Sequence, residues 1–173
     1  AGDGSLRWLA RAGEEPIEAA PVIAAGRVFV ASKDGTVRAL DAETGEERWT
    51  HSFGQRPVAL AWAGDRLLCA GSEGRLAALS PSDGEPRWRR ESPLDGGEVV
   101  LRHPPRIAGD AVLVPMAYPG MLVALGLADG AARWTFRHPS GGGFEATPLV
   151  TEGALLVIDG PRDLLALGAQ GGR

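Results

Sequence analysis

The side chains best suited to chemistry are few in this sequence, and their spacing favours neither a catalytic nor a metal site. The three histidines, His51, His103 and His138, include no pair at the i, i+2 or i, i+4 spacing of a local zinc site. Two of them follow tryptophans of predicted outer strands, so we expect them at the protein surface. No serine stands in a Gly-x-Ser-x-Gly elbow that would present a nucleophile. The histidines and serines therefore predict no catalytic centre.

Cys69 is the sole cysteine, which excludes an intrachain disulfide bond and a cysteine-based metal cluster. Because it stands in the apolar run 67–70, we expect it to be a small buried residue. Asp159 ends another apolar run and precedes Gly160-Pro161, which predicts a turn residue and not a catalytic acid. The sequence thus predicts a chain that is not an enzyme, with no catalytic residue, no cofactor and no bound metal ion.

The composition of the chain limits the partners it can have. A net charge of −4 at pH 7 gives no basic surface for nucleic acid or for direct contact with an anionic membrane. No stretch approaches the roughly 20 apolar residues that span a bilayer. The chain opens at Ala1 without a leader, from which we expect a mature or excised chain. Lys33 is the only lysine, which with abundant arginine, alanine and glycine favours a bacterial protein. The sequence does not fix the compartment, and we expect an extracytoplasmic location over a cytoplasmic one.

A motif that ends in tryptophan recurs four times along the chain. The tryptophans are spaced by 41, 39 and 46 residues, and an arginine directly precedes each of them. A glycine stands four positions before each tryptophan, and an Ala-Leu pair lies ten and nine positions before three of them. The tryptophans and their glycines are Trp8 with Gly4, Trp49 with Gly45, Trp88 with Gly84, and Trp134 with Gly130. A period near 40 residues is the signature of a repeat protein.

Each repeat predicts four short strands. In the copy that ends at Trp49 they are 20–24, 27–32, 36–41 and 46–51. These are apolar or alternating runs bounded by glycine turns, and Lys33-Asp34-Gly35 is a hairpin signal. No window has a sustained 3.6-residue period, so no helix is expected. The class is therefore all-β, and short strands at this period predict the four-stranded blades of a β-propeller.

The segment 39–49 resembles the tryptophan-docking motif of the quinoprotein-like (PQQ-like) propeller repeats, Ala-x-Asp-x-x-x-Gly-x-x-x-Trp. The resemblance covers essentially the whole chain. The later copies depart from it at one position, where they have Ser80, Gly126 and Gly168 in place of Asp41. The Trp-Asp repeat is the other large propeller family, but no Trp-Asp dipeptide ends a copy here. The resemblance implies a β-propeller.

The resemblance also implies a structural role for the motif residues. Asp41 can accept hydrogen bonds from the turn that it opens, and Gly45 can take the left-handed position that closes the turn. The Trp49 ring can then pack on the neighbouring blade. We expect the same of the other copies. The predicted docking residues are Trp8, Trp49, Trp88, Trp134, Gly4, Gly45, Gly84, Gly130 and Asp41.

The way in which the ring closes has two solutions. We interpret 1–173 as a single propeller domain of about four blades, over 18–51, 56–90, 103–138 and 146–173, the last completed by an outer strand over 1–10. Pairing of that strand in the last sheet would close a four-blade ring and remove the open edge. Alternatively, the four blades are half of an eight-blade ring, completed by a second copy in a homodimer or by further sequence. The sequence leaves both open.

The leading hypothesis for function is a noncatalytic binding or scaffold module of a larger bacterial protein. Similar repeats are found in the sensor portion of Ser/Thr kinases, in the periplasmic scaffold lipoprotein of outer-membrane β-barrel assembly, and in PQQ-dependent dehydrogenases, of which the chain could be a fragment. Three connections depart from the repeat, 10–18, 89–103 and 138–146, and we expect them on one face of the ring. Their composition predicts a mixed acidic and glycine-rich surface that binds a protein, a peptide or a small ligand.

Overall fold

The computed structural model describes residues 4–94, 98–139, 141–144, 146–151, 154–159 and 163–168, and all regular structure in them is β-strand. The strands are β1 (Val22–Ala24), β2 (Arg27–Ser32), β3 (Thr36–Asp41), β4 (Glu47–Ser52), β5 (Pro57–Trp62), β6 (Leu67–Gly71), β7 (Leu76–Leu79), β8 (Pro86–Arg90), β9 (Arg106–Ala108), β10 (Ala111–Met116), β11 (Met121–Gly126), β12 (Ala132–Arg137), β13 (Leu149–Val150), β14 (Ala154–Asp159) and β15 (Asp163–Gly168). The prediction of an all-β chain is confirmed. The described residues include no helix able to span a membrane.

The strands form four antiparallel sheets, each a meander in chain order. Strands β1–β4, β5–β8 and β9–β12 make three four-stranded sheets, here called blades 1, 2 and 3, and β13–β15 make the three-stranded blade 4. Successive four-stranded meanders are the blades of a β-propeller, so the predicted architecture is confirmed. In blade 1 the observed strands begin and end within two residues of the predicted bounds.

Each four-stranded blade has a β-bulge at the Ala-Leu pair that recurs in the sequence. In blade 1 the register shifts so that Ala39 pairs with Trp49 while Leu40 pairs with Glu47, which leaves Arg48 outside the ladder. The equivalent shifts in blades 2 and 3 lie at Ala78/Leu79 and Ala124/Leu125. The bulge explains why the arginine and the tryptophan recur as a pair, because the tryptophan stays in the ladder and the arginine turns out of it.

The apolar core lies between successive blades. Phe29 of blade 1 stacks on Trp62 of blade 2, with ring centroids 6.0 Å apart, and both pack with buried Leu67. A second cluster, which includes Met116, joins blades 2 and 3, and a third, around Phe144, joins blades 3 and 4. These three clusters therefore lie between sheets that follow one another along the chain.

The described part of the segment before β1 forms no regular strand. We expected an outer strand over 1–10 that completes the last blade, but residues 4–10 pair with no strand. Instead Trp8, Ala10 and Ala12 pack against Val30 and Leu40 of blade 1. Pairing between 1–3 and 169–173 lies outside the described residues.

Among the described residues, the row of blades does not close into a ring. Leu155 and Leu167 of blade 4 face blade 3, whereas Leu164, on the opposite face, is 62% exposed. At the other end of the row Ile23 of β1 is 75% exposed. Its equivalent in blade 2 is Trp62, which packs on the preceding blade. The Leu164 face of blade 4 therefore has no neighbouring blade among the described residues. On the corresponding face of blade 1 only the part at Ile23 is open, because the segment before β1 covers Val30 and Leu40.

Candidate functional site

Three of the predicted docking tryptophans reach the next blade along the chain in the same way. Each indole N–H donates a hydrogen bond to a backbone carbonyl in the turn between the third and fourth strands of that blade. The donor and acceptor pairs are Trp8 Nε1 with Ala42 O (3.2 Å), Trp49 Nε1 with Pro81 O (3.0 Å) and Trp88 Nε1 with Leu127 O (2.9 Å). Sequence reasoning did not identify these acceptors, because they belong to the following repeat.

The indole ring of each of these tryptophans packs directly on the glycine of the following repeat. Gly84 has a φ of 78°, and a Cβ on it would lie 2.6 Å from Cε3 of Trp49. Gly45 and Gly130 hold the same relationship to Trp8 and Trp88, with 2.7 Å to Cε3 in both pairs. Only glycine meets both needs, since a side chain would be strained by the backbone and would collide with the ring. The sequence indicated the turn but not this close approach.

The first and last members of the set stand apart. Gly4 has the same backbone conformation, with a φ of 80°, but a Cβ on it would meet no atom within 4 Å. Trp134 is half-buried against the cluster between blades 3 and 4. The part of blade 4 that would hold its glycine, 169–173, lies outside the described residues.

Asp41 organises the turn after β3. Its Oδ1 accepts hydrogen bonds from the backbone N–H groups of Glu43 (2.9 Å) and Thr44 (3.0 Å), and its Oδ2 accepts one from Arg48 Nη2 at 2.8 Å. The Arg48 guanidinium, followed by the two backbone N–H groups, holds the pKa of this carboxyl well below its usual range. The bulge thus positions Arg48 to pair with the aspartate that opens its own turn.

The copies without that aspartate pair their arginine with another carboxylate. Arg87 contacts Asp65 at 2.6 Å, and Arg133 contacts Asp110 at 2.7 Å. Both acids lie between the first and second strands of the same blade, at the end where the tryptophan docks. The arginine of the repeat therefore keeps an ion pair with an aspartate, although in blades 2 and 3 that aspartate stands at a different position in the sequence.

The three irregular connections lie at the opposite end of the blades, here called the loop end. This end carries the turns between the second and third strands, and the connections bond to those turns. Lys33 N donates to Pro16 O (2.9 Å), Val100 N to Tyr118 O (3.1 Å), and His138 N to Gly120 O (2.9 Å). All three connections therefore run over one end of the sheets.

Two of the connections meet at a pocket on the loop end. It has a volume of about 190 Å³ and is lined by Val100, Arg102, Ala117, Tyr118, Gly143 and Phe144. Phe144 forms a fully buried wall, whereas Tyr118 is 57% exposed. The lining residues come from 89–103, from the β10–β11 turn and from 138–146, so the pocket exists only because these segments converge. Neither connection has the repeat period that would have predicted this.

Backbone contacts hold the pocket walls in place. Val100 pairs with Tyr118, and Ala117 N returns a hydrogen bond to Val100 O at 3.0 Å. A Cβ on Gly143 would lie 2.4 Å from Ala117 O, and one on Gly120 would lie 2.0 Å from Gly142 O. The glycine-rich connection is therefore packed directly on the β10–β11 turn, where no larger residue fits.

The acidic residues of the connections are largely engaged with arginine. Glu18 accepts from Arg56 Nε at 2.6 Å, and Glu91 contacts Arg75 at 2.7 Å and Arg89 at 2.8 Å. The mixed acidic and glycine-rich surface stays a prediction for the connections as a whole. Among the described residues, however, no carboxylate lines the pocket. Arg102 lines it instead, is exposed, and has no ion-pair or hydrogen-bond partner among the described residues.

The burial of Cys69 was predicted from the sequence, whereas that of His138 was not. Cys69 is buried as expected, and burial raises the pKa of its thiol. His138, which we expected at the surface, is 2% exposed and meets the Phe144 ring edge-on, with centroids 5.4 Å apart. It is buried because the glycine-rich connection folds back over it. No group of three or more potential metal ligands occurs in the described part of the chain.

The family follows from comparison with known proteins. A family model described as the outer membrane protein assembly factor BamB matches residues 1–123. The chain belongs to this PQQ-like repeat family. The structure of BamB from Moraxella catarrhalis is similar, with a TM-score of 0.79 and 24% identity over 95% of this chain. This chain spans 50% of that BamB chain.

Two other solved structures share the BamB-family fold. The computationally designed Ika4 protein has a TM-score of 0.78 and 14% identity over 95% of this chain and 98% of its own. The quinohemoprotein alcohol dehydrogenase from Comamonas testosteroni has a TM-score of 0.67 and 18% identity over 83% of this chain and 29% of its own. Identities this low show the fold alone. No curated protein matches the chain.

Proposed function

We propose that the chain is a noncatalytic propeller scaffold that binds a protein partner through its loop end. The observation that supports this is the convergence of two connections, each a departure from the repeat, on one pocket. The pocket has an exposed tyrosine and an arginine that has no partner among the described residues. Binding residues concentrate on loops that a rigid scaffold positions. Tyrosine and arginine are also the residues that most often carry binding energy in protein interfaces.

The size of the pocket favours a protein partner over a cofactor. Its volume of about 190 Å³ lies below the roughly 300–1,000 Å³ of small-molecule sites. It is close to the roughly 150 Å³ that holds one benzene ring. A pocket of this size suits a single side chain of a bound protein.

The family supports an extracytoplasmic scaffold role, similar to that of an outer membrane assembly factor, over a role as the sensor portion of a Ser/Thr kinase. The likeness to a quinohemoprotein dehydrogenase keeps a quinoprotein fragment as the competing function. The described residues do not fit that cofactor, since they include no acidic cluster for Ca²⁺. Addition of PQQ and Ca²⁺ should leave the absorption spectrum and the Tm unchanged. A saturable shift in either would overturn the noncatalytic assignment.

Site-specific photo-crosslinking tests the binding role directly. A photoreactive residue in place of exposed Tyr118 should yield discrete protein adducts in the native cell. The matched control is the same residue in place of exposed Glu43, in a turn at the opposite end. Adducts at Tyr118 and none at Glu43 would support the proposal. Equal labelling at both ends, or labelling at neither, would contradict it.

We also propose that a second copy of the chain covers the two terminal faces and completes a larger ring. Ile23 is equivalent to Trp62 and Ile107. In each blade the leucine of the Ala-Leu pair, on the third strand, pairs with a residue of the second strand, and that residue pairs with Ile23, Trp62 or Ile107 on the first strand. Trp62 and Ile107 pack against the preceding blade, whereas Ile23 is exposed. The exposed Leu164 face of blade 4 is the corresponding surface on the other side. A second copy would bring a blade 4 to each Ile23 and a blade 1 to each Leu164.

A further inference from the structure

The chemistry of the pocket at the loop end goes beyond general protein binding. Three of its lining residues, Val100, Ala117 and Phe144, are apolar, and the exposed Tyr118 ring borders it. Aromatic rings prefer to pack against other aromatic rings, edge-on or offset. With a volume near that of a benzene cavity, the pocket accepts one aromatic side chain.

The positive charge of Arg102 determines which group of a ligand is favoured next to the aromatic side chain. Many arginines of the chain form ion pairs, for example Arg56 with Glu18 and Arg75 with Glu91. Arg102 has no such partner among the described residues, although it lines the pocket and is exposed. A guanidinium offers a planar fork of donors that matches a carboxylate. The complement to this end of the pocket is therefore an acidic group.

The pocket is also formed before any ligand arrives. The pairing of Val100 with Tyr118 and the close approach of Gly143 to Ala117 O hold four of its lining residues by backbone contacts. Leu101 N, between the lining residues, donates to Ser72 O of blade 2 at 3.3 Å. A preformed site avoids the entropic cost of ordering loops on binding, so a short segment can bind it.

We infer that this pocket binds an acidic peptide segment in which an aromatic side chain fills the cavity and a neighbouring carboxylate pairs with Arg102. The inference rests on the proposed binding function and specifies its ligand. The segment enters from the exposed side, at Tyr118. A basic or purely aliphatic segment lacks one of the two contacts and binds more weakly.

Three blocked peptides test the ligand class. The probes are acetyl-Glu-Phe-Glu-amide, its counterpart with lysine in place of glutamate, and its counterpart with alanine in place of phenylalanine, titrated into the full chain at low salt and followed by NMR. The acidic aromatic peptide should shift the signals of Tyr118 and Gly143 saturably. Each counterpart should bind at least about tenfold more weakly, the effect of roughly one lost charged or aromatic contact. Equal affinity for all three, or no binding of the first, would overturn the inference.

Two variants and a matched control assign the contacts. Arg102→Gln should weaken the acidic aromatic peptide about tenfold and remove its preference over the lysine peptide. Tyr118→Ala should weaken both phenylalanine peptides. Arg106→Gln, at an exposed arginine of the same blade outside the pocket, should change nothing. An equal loss with Arg106→Gln would assign the effect to overall charge and contradict the site.

The outcome is separable from that of the proposed function. Photo-crosslinks at Tyr118 together with no discrimination among the peptides would retain the binding role and reject the ligand class. Selective peptide binding together with no crosslink in the cell would reject the cellular partner and retain the chemistry of the pocket.

Discussion

Trp49 lies so close to Gly84 of the next blade that a Cβ on Gly84 would be 2.6 Å from the indole ring. The same contact joins Trp8 to Gly45 and Trp88 to Gly130. The motif of each repeat is therefore shared between neighbours, since a tryptophan from one copy sits on the glycine of the next. This relationship gives the docking proposal a direct test.

Gly84→Ala should destabilise the fold more than Gly64→Ala. The two glycines have similar backbone conformations, with φ of 78° and 71°, but a Cβ on Gly64 would meet no atom within 4 Å. We expect Gly64→Ala to cost about 1–2 kcal/mol from backbone strain alone. Gly84→Ala should cost about 1–3 kcal/mol more, because the ring must move. Urea unfolding measures both losses in unfolding free energy. Equal losses would contradict the close packing of Trp49 on Gly84.

Trp49→Ala should lower the free energy of unfolding by about 3–5 kcal/mol, as expected for a large buried side chain. Trp49→Phe keeps most of the apolar contact but leaves Pro81 O without its donor, and should cost about 1–2 kcal/mol. Thermal or chemical unfolding followed by circular dichroism gives both values. A cost below about 1 kcal/mol for the alanine variant would show that Trp49 does not join the blades.

Acid should weaken the turn that Asp41 organises. Because Arg48 and the backbone hold the folded-state pKa below the ordinary value of 3.8, folding favours the ionised carboxylate. That stabilisation is present above the ordinary pKa and is lost as the pH falls below about 4. Asp41→Asn should therefore be less stable than the parent at neutral pH and should lose less stability on acidification.

The matched control for the acid experiment is Glu43→Gln, at an exposed carboxylate of the same turn. Its unfolding free energy should follow that of the parent chain over the whole pH range. Urea midpoints between about pH 7 and pH 2 would measure this. Parallel curves for the parent chain and Asp41→Asn would contradict the role of the aspartate.

Cys69 should be inert in the folded protein. It is 1% exposed, and burial raises the pKa of its thiol, which disfavours the reactive thiolate. A chromogenic thiol reagent should react with it only at the rate at which the protein unfolds. Rapid reaction of the thiol in native buffer would mean that blade 2 opens without global unfolding.

The parent chain should have twice the mass of 18.0 kDa in solution if a second copy covers the terminal faces. Ile23→Glu and Leu164→Glu should each yield monomers with unchanged strand content, because a charge would be buried at the junction. Leu9→Glu is the control, since Leu9 is exposed at a position where the other blades carry exposed Thr50 and Arg89. Light scattering decides: a monomeric parent chain contradicts the proposed ring.

The repeat was sufficient to predict the fold. The strands of blade 1 follow from local apolar runs and glycine turns, and both signals lie within one repeat. Other features depend on contacts between repeats, and the signals within a single repeat do not predict such contacts. The close packing of Trp49 on Gly84 is one example, because a period shows that both residues recur but not that they touch.

The pocket shows a second limit of sequence reasoning. Val100 and Tyr118 pair only because a connection without periodicity crosses the β10–β11 turn. The burial of His138 has the same origin, since residues near Phe144 fold over it. The sequence shows that the connections carry glutamates, but which of these charges are paired depends on their neighbours in space. Arg102 is notable in the structure and unremarkable in the sequence.

The forward reach of each tryptophan also makes the association of blades directional. Each of the three described docking contacts runs from one copy to the next along the chain, so its two sides are different surfaces. Such head-to-tail interfaces can always accept another unit, and only the rotation between successive units decides whether they close or continue as a helix. A substitution that altered the angle between two blades could therefore convert a finite assembly into an open filament, without loss of a single docking contact.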